Sequence, residues 1–254
     1  CAIKEGGKMI VALNKDKNRI FADEADKNST YYCPYCDDDL ILKKGTLKIA
    51  HFAHKKNCDC ISNHIEMSEW HYNWQKYFGL NNAEISIKIG EYHNIADIMI
   101  GDTIIEFQHS KISYQEIRKR SIFYSSDNKK LYWIFDCQDE KIQYWKKGRG
   151  NNEIYKWDYA SNSLLAALNT ERTEVFFQLD KDLLIKINWV SFDKKKEEDT
   201  LKFFSGIEMT KEECKEYILS KVNFNYVPNP NFKNTDDYWY IGKQYELLDL
   251  KLIK

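Results

Sequence analysis

The sequence predicts a mixed α/β or α+β fold, a sheet with helices packed on it. Three observations carry that prediction. Residues 83–89, 95–100 and 103–108 fall into strand-like runs, the last two joined by a Gly101-Asp102 turn. Helical spacing flanks them: Ile65, Trp70, Trp74 and Phe78, with Tyr77, come before, and Ile117, Ser121 and Tyr124 come after. Leu131-Tyr132-Trp133-Ile134-Phe135 is then a short, wholly apolar run, which suits a strand buried on both faces.

Each element has a local cause. The breaker tract Asn14-Lys15-Asp16-Lys17-Asn18 separates two short strands, Ile10-Val11-Ala12-Leu13 and Arg19-Ile20-Phe21-Ala22. Residues 31–53 read as a small β ribbon: Tyr31-Tyr32-Cys33, a tight Cys33-Pro34-Tyr35-Cys36 knuckle, Leu40-Ile41-Leu42-Lys43, a turn at Gly45, and a return over 47–52. Ser68 or Asn63 caps the first long helix and Gly79 stops it. Ser113 with Glu116 three residues on makes a capping box for the second. Further on, 141–145 and 155–157 read as strands, 161–168 as a short helix, and 175–179 with 183–189 as a hairpin around Asp180-Lys181-Asp182. The charge run 194–199 reads as a solvated loop, Thr210 with Glu213 caps a helix reaching Val222, and 223–233 is irregular.

Composition bounds the function. The chain has 254 residues, 38 Lys and Arg against 39 Asp and Glu, and a formal net charge of −1, so polyanion binding must come from a local basic patch. No apolar run approaches the roughly 20 residues that span a bilayer, and no segment has signal-peptide order. These features predict a soluble, cytoplasmic protein. Residues 1–8 precede a natural start at Met9 and read as a cloning remnant or an upstream extension. Of the seven Cys, four crowd between Cys33 and Cys60, whereas Cys137 and Cys214 stand in apolar or helical contexts and read as buried structural thiols.

The cysteine cluster points to zinc. Two thiolates separated by two residues grip one face of a tetrahedral ion, and Cys33-Pro34-Tyr35-Cys36 has that spacing. The second half of the shell comes from His51-Phe52-Ala53-His54 and Cys58-Asp59-Cys60. The expected set is Cys33, Cys36, His54 and Cys60, with His51 and Cys58 as alternates. A four-ligand shell leaves no open position, so this zinc is structural and supplies folding energy to a small module.

A second constellation is acidic. Asp97 begins one strand run; after the Gly101-Asp102 turn, Glu106 and Gln108 share one face of the next, because side chains two apart on a strand point the same way. Carboxylates so arranged can hold a divalent cation against a phosphate. Glu66, Glu69 and His71 lie on the preceding helix, where a third carboxylate is available, and Arg118, Lys119 and Arg120 follow on the next.

Taken together, several motifs resemble the competence protein CoiA-like family within the PD-(D/E)XK nuclease superfamily. They are Tyr32-Cys33-Pro34-Tyr35-Cys36 with His51-Phe52-Ala53-His54, Ser68-Glu69-Trp70-His71, Ala96-Asp97, Ile105-Glu106-Phe107-Gln108-His109-Ser110 with Ile112-Ser113, and Arg120 and Tyr124 before Trp133-Ile134. The similarity runs from about Met9 to Phe135. It implies a restriction-endonuclease-like mixed sheet flanked by helices, with a β-rich zinc-binding module over 9–61, a nuclease-like core over 62–150, and a region 151–254 that continues the core or forms an interaction domain for a protein partner.

The resemblance also implies an activity: cleavage of DNA with Mg²⁺ or Mn²⁺, in competence or in defence against phage. Asp97 and Glu106 would ligate the metal, and Glu69 would add to it or orient its water. Gln108 stands where the superfamily usually has lysine, and glutamine brings no positive charge to the transition state. The general base is therefore unassigned, the candidates for the missing cation or proton carrier are His71, His109 and Arg120, and Ser110 and Arg120 would steady the phosphate. A basic groove would draw on Lys43, Lys44, Lys48, Lys55 and Lys56 beside Arg118, Lys119 and Arg120. The competing reading is a catalytically impaired, zinc-bearing nucleic-acid adaptor within a larger complex. The strandedness of the substrate and the oligomeric state are left open.

Overall fold

Short strands set by turn residues build the first half of the chain. The computed structural model describes residues 8–46, 48–55, 68–159, 167–168, 172–193, 200–222 and 239–240. The chain divides into two compact units, Cys1–Ile100 and Gly101–Lys254. In the first unit, β1 (Val11–Leu13), β2 (Arg19–Phe21), β3 (Tyr31–Tyr32), β4 (Asp39–Lys43) and β5 (His51–His54) form one sheet in the order β2-β1-β3-β4-β5. The β1–β2 turn forms because the Asn14 side-chain oxygen accepts from the backbone N–H groups of Asp16 and Asn18, both at 2.9 Å. A bridge between Met9 and Phe52 brings the last strand back against the residue preceding the first. The resulting core is small: Met9, Ala12, Ala22, Tyr31, Leu40 and Phe52 are among its buried members, with Cys33.

The same unit contains α1 (Glu69–Phe78) and the antiparallel pair β6 (Ala83–Ile89) and β7 (Tyr92–Ile100). Ser68 caps α1, its hydroxyl accepting from the His71 N–H at 3.2 Å, and Gly79 ends it at φ 94°, a conformation that favours glycine. The helix is tied to the β module by an ion pair from Lys76 to Asp23 at 2.7 Å and by Phe21 packing edge-on against Tyr72.

A buried acid joins β6 to β1. Both carboxylate oxygens of Glu84 accept from the Ile10 N–H at 3.2 Å, and one also accepts from Val11 at 3.1 Å. Burial pushes the Glu84 carboxyl up to about 7; the two backbone donors oppose that rise, and Asp97, across the β6–β7 ladder, adds to it. The sign follows from linkage. Below its ordinary value near 4.5 the group is protonated folded and unfolded alike; between there and about 7 the folded protein keeps a proton the unfolded chain has lost. Without added divalent metal, stability is therefore expected to fall by roughly 3 kcal/mol across that window. Chemical denaturation at several pH values checks this, and Glu84→Gln should flatten the dependence.

In the second unit, β8 (Thr103–Gln108), α2 (Tyr114–Ser126) and β9 (Lys130–Asp136) make a strand–helix–strand crossover, and β8 and β9 are parallel. The apolar run of β9 is explained by its position. It has parallel neighbours on both edges, β8 and β12 (Thr173–Asp180), and α2 packs on it, Trp133 donating to the Ser121 hydroxyl at 3.1 Å. With β10 (Gln143–Lys147), β11 (Glu153–Tyr159), β13 (Leu183–Asp193) and β14 (Thr200–Met209), the order in this unit is β10-β11-β14-β13-β12-β9-β8, a mixed sheet. The α3 helix (Lys211–Ser220) carries the Thr210–Glu213 capping box that the sequence predicts. Cys137 and Cys214 are buried, and burial pushes both thiols up, as structural cysteines require.

The sequence reading missed β14. Its residues lack clean alternation and contain Gly206, and glycine usually weakens a strand because it has no side chain to pack. Here glycine is needed: a Cβ at Gly206 would lie 2.1 Å from the Lys186 carbonyl oxygen on β13. Gly206→Ala is expected to destabilise the second unit by at least about 1–3 kcal/mol, the cost of overpacking, measurable as a drop in melting temperature. The loop expected at 194–199, the irregular segment 223–233 and most of the helix expected at 161–168 lie outside the described residues; Ala167 and Leu168 are helical and buried. No helix among the described residues is long and apolar enough to cross a membrane.

Candidate functional site

The knuckle at Cys33 is shaped by its own backbone. The Cys33 N–H donates to Asp38 at 2.8 Å and the Asp37 N–H donates back to Cys33 at 3.0 Å, with Asp37 in the left-handed region at φ 61°. That turn points both thiols one way, and the Tyr35 N–H donates to the Cys33 sulfur at 3.4 Å. From β5, His54 arrives with Nε2 3.4 Å from the Cys36 sulfur. The ligating atoms of Cys33, Cys36 and His54 all lie within 4.8 Å of one another. Burial lowers the His54 pKa against the opposing charge of Asp38, which favours the neutral imidazole that binds metals. These three side chains can hold a metal ion, and two sulfurs with one imidazole suit a soft-to-borderline cation. His51 does not join them. Three residues from His54 on the same strand, it points to the other face, and its Nδ1 lies 2.9 Å from the Ile49 carbonyl. Cys58 and Cys60 fall outside the described residues.

Asp97 is held from α1. His71 Nε2 lies 3.0 Å from Asp97 Oδ1, and the Gln75 amide lies 3.3 Å from the same oxygen. His71 and Gln75 are four apart and so share a helix face. Gln75 was missed by sequence reading, although its spacing from His71 was the available signal. Glu69 is exposed, and the helix turns it roughly 200° from His71; the Asp97 grouping therefore contains His71 and Gln75 but not Glu69. Glu66 is outside the described residues.

Glu106 is held from α2. It is 1% exposed on β8. Arg120 Nη1 donates to one oxygen at 3.1 Å and the Tyr124 hydroxyl to the other at 2.7 Å. Arg120 and Tyr124 are again four apart, and Arg120 also donates through Nε to Glu116 at 2.8 Å. Arg120, expected on a phosphate, is thus seen orienting a carboxylate. Asp97 belongs to the first unit and Glu106 to the second.

Gln108 has a fixed orientation. Its nitrogen lies 2.6 Å from the Ser110 carbonyl oxygen and 3.3 Å from the Ser110 hydroxyl. A carbonyl can only accept, so the amide NH₂ faces Ser110 and the Gln108 oxygen faces elsewhere. Ser110, expected on substrate, anchors Gln108. Next to it, His109 Nδ1 pairs with Asp136 at 2.7 Å, the imidazole being 46% exposed. The expected basic groove is partly committed locally: Lys44 donates to the Asp23 and Ala25 carbonyls and Lys55 to Asp39.

Comparison with known proteins adds the family. Residues 14–63 match the N-terminal domain of competence protein CoiA, and residues 62–205 match its nuclease-like domain. No curated protein and no solved structure matches the chain. The two matches follow one another along the sequence and take in the metal-competent cluster, the acid held by His71 and Gln75, and the acid held by Arg120 and Tyr124. The chain belongs to the competence protein CoiA family, with a nuclease-like domain.

Proposed function

We propose that this protein is a metal-dependent nuclease that hydrolyses DNA phosphodiester bonds in the processing of foreign DNA, in competence or in anti-phage defence. The observation that carries the reading is the orientation of two acids by dedicated side chains inside a nuclease-like domain: Asp97 by His71 and Gln75, Glu106 by Arg120 and Tyr124. Hard carboxylate oxygens suit Mg²⁺ or Mn²⁺, and a carboxylate offers about four lone-pair directions, so donors and a cation can share it. When bound, the cation supplies charge to the scissile phosphate and acidity to a water. The protein's own residues do the rest. Arg120 and Tyr124 keep Glu106 aimed. Gln108, its NH₂ turned to Ser110, accepts a hydrogen bond from a water and so orients it. His109, backed by Asp136 and the most exposed of the three proton-carrier candidates, exchanges the proton with solvent. Zinc on Cys33, Cys36 and His54, completed by Cys58 or Cys60, is structural.

The test is a cleavage assay on supercoiled, linear duplex and single-stranded DNA with Mg²⁺ or Mn²⁺. Wild type should cleave, and Asp97→Ala should lose about a thousandfold or more, the several kcal/mol that a bound cation contributes. Cleavage that persists without divalent metal, or an Asp97→Ala protein as active as wild type, would overturn the reading. The adaptor reading keeps one specific support, the absence of a cation at Gln108; DNA binding with no cleavage on any substrate would favour it.

A further inference from the structure

We propose that one face of the β10–β11 hairpin binds single-stranded DNA, with Trp145 as the stacking ring and Lys146 and Lys156 as phosphate contacts. This rests on the nucleic-acid reading above and extends it to a surface of the second unit.

The strand β10 lies at the edge of the sheet, and all five of its residues are exposed, Tyr144 by 58% and Trp145 by 55%. Exposed tryptophan on an edge strand is uncommon unless something covers it. Over the hairpin, residues 143–159, Lys146, Lys147, Arg149 and Lys156 stand against Glu153 and Asp158, in a chain of net charge −1.

The ladder sorts these groups by face. Tyr144 pairs with Tyr155 and Lys146 with Ile154, so a bulge at Trp145 changes the alternation there. Lys146 consequently shares the face of Ile154 and Lys156, and Lys156 stands opposite Phe203 of β14. Trp145 is on this face too, its ring 5.6 Å from that of Phe203 and propped edge-on by it. Tyr144 takes the other face, bonded to Glu153 at 3.0 Å, and its neighbour Tyr155 is bonded to Glu208. Trp145, Lys146 and Lys156 are therefore on one side, and Glu153, Glu208 and Lys147 are on the other. Beyond Gln143, a cavity of about 470 Å³ is lined by Asp139 and Glu140 and also by Lys141 and Lys156, so its charges balance.

A braced aromatic ring beside two cations fits a nucleic acid whose bases are unstacked. A second copy of the chain fits less well, because lysines and a bulge on an edge strand oppose strand-to-strand pairing.

The experiment is fluorescence anisotropy of a labelled 30-mer oligothymidylate, with no divalent metal added, beside a duplex of equal length. Trp145→Ala should weaken single-strand binding about fivefold or more, the effect of losing one stacked base. Lys146→Ala should lower the salt slope by about 0.7, one phosphate contact on a single strand. Tyr144→Ala, on the acidic face, should bind as wild type. Trp145→Ala binding as wild type overturns the proposal even where metal-dependent cleavage is intact, and equal losses on duplex and single strand overturn the stacking assignment. A protein that cleaves but does not bind the oligomer sinks this inference alone; one that does neither sinks both readings. A wild-type dimer that Trp145→Ala dissociates, with DNA binding unchanged, would assign the face to a second copy.

Discussion

Glu106→Ala is expected to eliminate DNA cleavage and to destabilise the second unit in the same stroke. The carboxylate is essentially inaccessible, and its removal leaves Arg120, 17% exposed, and the Tyr124 hydroxyl facing a hole. Removing one partner of a buried ion pair costs about 3–5 kcal/mol, with the lower end fitting a guanidinium that keeps Glu116 and some solvent. Melting temperature and cleavage rate should therefore both fall. Tyr124→Phe separates the two effects. It deletes one hydrogen bond to Glu106, a loss of about 1 kcal/mol in stability, yet it lets the carboxylate turn, so cleavage should fall further than folding accounts for. A Tyr124→Phe protein with wild-type turnover would show that the orientation of Glu106 is irrelevant to the reaction.

Loss of the proposed zinc is the second large effect expected. The N-terminal sheet has a core of short strands around Met9, Ala12, Leu40 and Phe52, too little apolar surface to hold five strands alone. Structural zinc supplies apparent binding energies of about 10–16 kcal/mol in small modules. Elemental measurement should find one zinc per chain, lost in Cys36→Ser and in His54→Ala, with a low-temperature melting transition appearing in both. His51→Ala should keep the metal, since that imidazole faces the opposite side of β5. A zinc content unaffected by Cys36→Ser would rule out this site.

Local causes made much of the fold legible in the sequence. Ser68, Ser113 and Thr210 were readable as caps because a hydroxyl followed by helical spacing has one good use, and β9 was readable as a buried strand because its central run Leu131–Phe135 is wholly apolar and aromatic. The strand β14 was not, because the need for Gly206 arises from the backbone of β13, a partner distant in sequence. The candidate site divides similarly. Asp97, Glu106 and the Cys33–Cys36 knuckle stand out by type and spacing. What orients them does not: Gln75 is an ordinary helix glutamine until Asp97 is seen beside it, and Arg120 and Ser110 looked like phosphate contacts until Glu106 and Gln108 were seen to occupy them. Spacing along a strand names the acids, whereas the donors that aim them come from another element.

The carboxylate of Glu84 has a practical consequence for dissecting the molecule. Its hydrogen bonds come from the main chain of Ile10 and Val11, and Arg19 and Tyr35 reach carbonyl groups between Leu80 and Glu84. A fragment begun at residue 62, where the nuclease-like match starts, would strip that acid of its donors and bare the sheet edge beneath it. Such a fragment should precipitate or lose β6 before any question of catalysis arises. The seam suggested by homology thus runs through a stitched region, and expression designs that retain the first eighty residues have the better footing.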